Sequence, residues 1–361
     1  MAAGDFGVNK TGLKIVCNLF EKKDFFDSHV KKFFDVADPI LKLVQKIYAL
    51  PTVDSLAASE VIAEIFKHVG IVIEHGGKIF KNQLTPFVDL LYLRWIADSA
   101  PVYPEEKSTI EGMLLDFCEI MPNKLLEDSS RVKKIIEVVC CSLAPENIEV
   151  SHEWLNPQSD IEEVEPSLRL QISKVDRLLN AFDTDVVLKF LSMQVEILLA
   201  SEDWRKRVAG LFALSQVGEY LSDIDLVNPL ITVLIQLVVT DHHPKIRYGV
   251  YHCIGQLAQD LAPKFQCKFF NDLSLVLING MNDKIPRVKA HALCALTNFN
   301  EGCELDMILE KSDIIINSIV GIIKVDENSI LVRKCAIACL TSLMRALRHE
   351  CDKYYDELIP F

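Results

Sequence analysis

Apolar and polar positions in the C-terminal half repeat with a period longer than any single helix. Four basic residues, Arg207, Arg247, Lys289 and Arg333, follow one another at intervals of 40, 42 and 44. Three residues after each stands one of modest size: Gly210, Val250, Ala292 and Ala336. Six residues after each comes a small one (Ala213, Cys253, Ala295, Cys339), then a large aliphatic (Leu214, Ile254, Leu296, Leu340). Small side chains let neighbouring helices approach closely, and the adjacent aliphatic fills the seam. An apolar stretch precedes each base: Val186–Leu199, Leu226–Val239, Phe269–Met281 and Asp313–Ile323. Each period therefore reads as a helix pair, an apolar A helix followed by a B helix that the base opens. His243-Pro244 and Ile285-Pro286 supply the punctuation for a short A-to-B turn. Helix pairs with a period of about 40–47 residues are the signature of HEAT or armadillo repeats. The expected fold is an all-α, HEAT-repeat superhelical solenoid.

An acid precedes three of the bases, Asp241 before Arg247, Asp283 before Lys289 and Asp326 before Arg333. These charges are expected to tie adjacent repeats together at their turns rather than to act chemically. Asp203, only four residues before Arg207, fits that pattern less well. Upstream the register is looser, but the alternation continues. Val36–Tyr48 pairs with Ser55–Glu74, Lys78–Ala97 with Glu105–Met121, and Ser129–Leu143 with Ser167–Phe182. Leu19, Phe20, Phe25 and Phe26 mark a further partial pair, for roughly eight repeats in one continuous array over residues 1–361.

Two stretches interrupt the array. Ala144 to Pro166 carries Glu146, Glu149, Glu153, Asp160, Glu162, Glu163 and Glu165 with no Lys or Arg, and holds Trp154. An acidic insert of that length exceeds a simple turn in a compact stack, so it is functional or a spacer. The second interruption is the C-terminus, where Tyr354 to Phe361 reads as the opening of another A helix. A solenoid needs polar capping repeats, and the expectation is that the chain belongs to a longer protein.

Composition narrows the function. The net charge of −13, from 51 acids against 38 bases, disfavours direct binding to nucleic acid and favours partners rich in Lys and Arg. Eleven cysteines are scattered without a Cys-x-x-Cys, and residues such as Cys253, Cys294 and Cys339 fall inside apolar helical patterns. They read as small core residues of a protein kept in a reducing compartment. The most apolar run, Leu226 to Thr240, is too short to cross a membrane and contains Gln236. No nucleophile elbow, zinc-protease, phosphate-loop or dinucleotide motif is present, so an enzyme, a cofactor and a metal site are not expected. His242-His243 reads as turn chemistry, His252 and His291 as packing residues, and Trp204 as a contact with a neighbouring repeat.

The run DHHPKIRYGVYHCIGQLAQDLAPKFQCKF (Asp241–Phe269) resembles the importin-beta (karyopherin-beta) superfamily, as do EDWRKRVAGLFALSQVGEY (Glu202–Tyr220) and PRVKAHALCALTNFNEGC (Pro286–Cys303). The branch is that of importin five. The likeness is close over residues 167–303 and looser elsewhere, which implies the middle repeats of a much longer solenoid. The resemblance implies nuclear import, with basic cargo such as ribosomal proteins or histones, the Ran GTPase and Phe-Gly nucleoporins as partners. It also implies shuttling between cytoplasm and nucleus.

The polar residues of the B helices repeat with the fold, on the wall that such a superhelix makes concave. Asp176, Glu219, Asp260 and Asn298 follow at intervals of 43, 41 and 38, an acidic or amide row suited to an extended lysine-containing signal. The resemblance implicates those four, with Gln256, Glu301 and Glu119 assisting, while Arg345 ends the row. In the insert, Glu153, Trp154, Asp160, Glu162 and Glu163 are the candidates for contact with Ran or cargo. A solvated helix end is the bland alternative for the row, and a spacer for the insert. Another HEAT scaffold, an exportin or a phosphatase-type adaptor, is the alternative for the whole chain.

Overall fold

The computed structural model describes residues 3–20, 34–48, 56–97, 106–146, 149–158, 166–182, 184–221, 223–325 and 329–355. Among them lie seventeen α-helices and no strand. The first ten are α1 (Ala3–Phe20), α2 (Ala37–Tyr48), α3 (Leu56–Gly76), α4 (Leu84–Ile96), α5 (Glu106–Ile120), α6 (Pro122–Leu126), α7 (Ser129–Cys141), α8 (His152–Leu155), α9 (Pro166–Ala181) and α10 (Thr184–Leu199). The remainder are α11 (Trp204–Ser215), α12 (Asn228–Thr240), α13 (Pro244–Asp260), α14 (Lys264–Gly280), α15 (Pro286–Glu301), α16 (Leu305–Lys324) and α17 (Ile330–Leu347). Among the described residues no helix is long and apolar enough to span a membrane.

The chain divides into two compact units, residues 1–140 with 173–191, and residues 141–172 with 192–361. In the first unit α1 packs on α3 and α3 on α5, so these three are B helices. Phe80, Phe87 and Phe117 are fully buried there and meet edge to face at 5.1–5.9 Å, an arrangement that gains quadrupolar attraction beyond simple burial. Lys174 on α9 reaches Glu111 on α5 at 2.5 Å, and Trp95 Nε1 donates to the other Glu111 oxygen at 2.9 Å. Arg94 forks onto Glu106 at 2.8 and 3.0 Å. Phe25 and Phe26 lie outside the described residues.

In the second unit the B helices α11, α13, α15 and α17 pack in succession, and α12, α14 and α16 each lie on a B helix. Each B helix starts three residues before its base, at Trp204, Pro244, Pro286 and Ile330. Pro suits that first position, where the missing N–H has no helical partner. The small positions are buried as expected, with Ala213, Cys253 and Cys339 at 0% exposure. The closest backbone approach is at Gly255, where an added methyl would stand 3.1 Å from the Cα of Ala295. Two A helices begin earlier than their apolar pattern, α14 at Lys264 and α16 at Leu305. Their first turns bury Phe265 with Gln266 in α14 and Ile308 in α16, among polar neighbours that dilute the signal.

The turns carry the expected ladder. Arg207 bonds Asp241 of the next repeat at 3.0 and 2.7 Å, and Arg247 bonds Asp283 at 2.6 and 3.1 Å. Each guanidinium also caps carbonyls of its own turn, Arg207 at Ser201 and Glu202 and Arg247 at His242. Each aspartate also accepts a backbone N–H two residues on, at His243 and Ile285. One side chain thus closes an Asx turn and joins two repeats. Asp203 departs from the pattern, accepting from the backbone N–H and side chain of Arg205 as the cap of α11. Asp326 lies outside the described residues.

Candidate partner-binding face

In the second unit the ends of α13 and α15 and the 3-10 turn Gly218–Tyr220 carry the predicted residues Glu219, Gln256, Asp260, Asn298 and Glu301. Asp260 is the last residue of α13, and Gln256, one turn earlier, donates Nε2 to its Oδ1 at 2.8 Å. The other carboxylate oxygen lies over Gly218, where an added methyl would stand 2.6 Å away. Gly218 precedes Glu219, so the turn that carries Glu219 packs against the end of α13 at Asp260. Glycine is needed here because any side chain would displace Asp260. Asn298 on α15 donates Nδ2 to the Gly255 carbonyl at 3.3 Å, which anchors it to α13 and leaves its carbonyl oxygen as the acceptor. Glu219 and Glu301 are exposed, while Asp260, Gln256 and Asn298 are half-buried.

Contrary to the sequence expectation, Glu219 does not continue a B helix. Helix α11 stops at Ser215, and Glu219 stands in a 3-10 turn over Gly218–Tyr220. Contact between that turn and Asp260, rather than a common helical face, places Glu219 in the group.

In the first unit Asp176 is half-buried on α9. Its neighbour Arg177 donates Nε to Glu119 at 2.8 Å and Nη2 to Asp116 at 3.0 Å. Glu119 thus already bonds a cation of its own chain while its side chain stays 44% exposed. Burial raises the Asp116 carboxyl above its ordinary value, and the Arg177 guanidinium opposes that shift. Sequence reasoning missed Asp116, although it stands one turn before Glu119 on α5.

The insert is structured where it is described. Ser151 caps a single turn, its Oγ accepting from the Trp154 N–H at 3.2 Å. Trp154 is 8% exposed. Its ring meets Tyr248 edge-on at 5.5 Å, with Lys245 Nζ at 5.1 Å and the Arg287 guanidinium at 5.7 Å from its centroid. Its carbonyl accepts from Arg287 Nε at 2.8 Å. Trp154 thus anchors the insert onto the starts of α13 and α15. Glu153 is exposed, and Asp160, Glu162 and Glu163 lie outside the described residues.

The histidines pack as expected. His252 Nδ1 and His291 Nε2 are 3.2 Å apart, and His291 stacks on Tyr248 at 4.0 Å. Trp204 stacks on His243 at 3.8 Å, across the turn that opens the next repeat.

Successive helix pairs, with an arginine–aspartate ladder at the turns and an acid and amide cluster at the B-helix ends, define a HEAT-type repeat protein. No family model matches the chain. Importin subunit beta-3 of Saccharomyces cerevisiae is 22% identical to it over 308 residues, 83% of this chain and 28% of that protein. The solved structure of Kap121p bound to Nup53p matches 92% of this chain with a TM-score of 0.80 at 20% identity. That of Kap121p bound to the C-terminus of the phosphatase Cdc14p gives 0.81 at the same identity. The chain spans about a third of Kap121p, 32%. The chain is thus similar over most of its length to importin subunit beta-3 and shares the fold of a segment of Kap121p. One solved Kap121p variant carries lysine in place of three acids that stand one repeat apart. Another carries alanine at the same three acids and at an asparagine one repeat beyond the last of them.

Proposed function

We propose that this chain is the cargo-gripping part of a nuclear transport receptor, and that its acid and amide row binds a lysine-containing localisation signal. The observation that carries the reading is that the turn bearing Glu219 packs on the end of α13, which holds Gln256 and Asp260, while Asn298 on α15 bonds back to α13. Acid and amide oxygens there would accept the hydrogen bonds of a lysine ammonium, which donates three. Asp176, in the first unit, stands 43 residues before Glu219 in the sequence. The spacing of Asp176, Glu219, Asp260 and Asn298 (43, 41 and 38) runs closely parallel to the residues replaced in the Kap121p variants. In the full-length receptor this reading includes release by Ran and passage through the pore on Phe-Gly nucleoporins, with shuttling between cytoplasm and nucleus. Glu301 and the acids of the insert are secondary contacts in the same scheme.

The test is titration of the chain with a fluorescent lysine-rich localisation peptide at low and moderate salt. Charge-assisted hydrogen bonds contribute about 1.5–3 kcal/mol each, so the Glu219→Lys, Asp260→Lys double variant should bind weaker by a factor of at least about a hundred. Affinity unchanged in that variant, or an unchanged affinity across the salt series, would count against the row. No binding of any basic peptide would favour the alternative of a scaffold or exportin-type adaptor.

A further inference from the structure

Two thiols face each other between consecutive B helices of the second unit. Cys294 on α15 and Cys335 on α17 have their sulfurs 3.7 Å apart. The helices meet there through Ala292, Ala336 and Cys339, all fully buried and none larger than a thiol, so their backbones come close enough for short side chains to touch. A disulfide needs its sulfurs at about 2.0 Å, and rotation about the two short side chains moves them toward each other. Cys294 is partly open to solvent and Cys335 is 8% exposed, so one is reachable and the other is shielded behind it. Cys339, one turn beyond Cys335, is wholly buried, and burial pushes its thiol up to about 12, which keeps it protonated.

We propose that Cys294 and Cys335 form an oxidisable pair, a modification site that hydroperoxides convert to a disulfide between α15 and α17. In the first step the Cys294 thiolate attacks a peroxide oxygen. The O–O bond breaks, the sulfur becomes a sulfenic acid, and the released hydroxide takes a proton and leaves as water. In the second step the Cys335 sulfur, giving up its proton, attacks the sulfenic sulfur. The S–S bond forms, the S–O bond breaks, and a second water leaves. Two thiols lose two electrons and two protons, and one hydrogen peroxide becomes two waters. The bond ties α15 to α17 one turn from Asn298 on the same face of α15. The proposal rests on the sulfur geometry and not on the transport reading, so either can fail alone.

The test treats the chain with hydrogen peroxide, blocks remaining thiols under denaturing conditions, and maps the products by proteolysis and tandem mass spectrometry. Two of the eleven free thiols should be lost together. One linked peptide, two hydrogens lighter than its parts and separable by dithiothreitol, should carry the bond at Cys294 rather than Cys303 and at Cys335 rather than Cys339. In Cys335→Ala the link should vanish, and dimedone should trap a sulfenic acid on Cys294. The proposal is overturned if Cys294 stays alkylatable while the exposed Cys267 oxidises, or if Cys294 pairs elsewhere. The wild-type map decides this even if the variant fails to fold.

Discussion

The two units build the same helix hairpins but join them with charges in different places. In the first, Lys174 and Glu111 meet between the middles of α9 and α5, with side chains 8% and 3% exposed. In the second, Arg207 and Arg247 meet Asp241 and Asp283 at the turns, where the arginines keep 17% and 18% of their surface. A pair inside the helix interface gives up most of its hydration and depends on its partner, so removing one member strands the other. A pair at a turn keeps some water and also caps backbone carbonyls, so it can recur in each period without threatening the core. Position along the hairpin thus decides how much each charge matters.

Lys174→Met probes this contrast most severely, because it keeps bulk but leaves the Glu111 carboxylate buried beside Trp95 without its cation. A loss of about 3–5 kcal/mol is expected, read as faster hydrogen exchange in α5 and α9. Adding Glu111→Gln should restore most of it, since the amide needs no counter-charge. Equal exchange in wild type and Lys174→Met would mean that the buried pair does not hold the first unit.

The corresponding change in the second unit is Arg247→Ala, which removes two bonds to Asp283 and one to the His242 carbonyl. Because Asp283 keeps the Ile285 N–H and some solvent, the expected cost is smaller, about 2–3 kcal/mol. Exchange should quicken at the starts of α13 and α15. Arg247→Lys should recover less than half, because an ammonium cannot reproduce the fork. Full recovery by lysine would reduce the ladder to simple charge attraction.

The same difference explains what can be read from the sequence. The turn arginines and aspartates recur with the period and sit beside Pro, so Arg207, Arg247, Asp241 and Asp283 stand out, as do the small residues that follow. Asp260 and Asn298 are legible because, thirteen and nine residues after their bases, they fall one turn apart on the same face of a B helix. Lys174, Glu111 and Glu106 recur nowhere, and a buried charge looks like a surface one until its partner is known. The expected B-helix position of Glu219 is not observed, because its turn beyond the end of α11 is set by Gly218 meeting Asp260, a contact made across a whole repeat. The internal packing of Trp154 is not legible, because an aromatic within an acidic loop resembles a partner contact. Its anchor, Arg287, comes from a helix far along the chain, and no local pattern announces it.

The smallest effect is the most diagnostic of how the second unit is held, because it comes from groups that carry no charge near neutrality. Burial lowers the His252 pKa to about 4, and burial, aided by His252 and Arg287, lowers that of His291. In the unfolded chain both titrate near 6.5. Above that value both states hold neutral rings, and titration contributes nothing to stability. As pH falls below about 6.5 the unfolded chain gains protons that the folded rings refuse, so stability drops until the folded pKa is reached. The neutral pair needs one nitrogen to donate and the other to accept across 3.2 Å, whereas two imidazolium rings would both donate. Between pH 7 and pH 5.5 the loss should be about 1 kcal/mol for His252, a figure its partial exposure reduces rather than enlarges. Denaturation followed at both pH values should show this slope in α13 and α15, and His252→Phe should reduce it to the share that His291 contributes. A slope of the same size in the variant would assign the acid sensitivity to the carboxylates, and the histidine stack would then be packing without a pH signature.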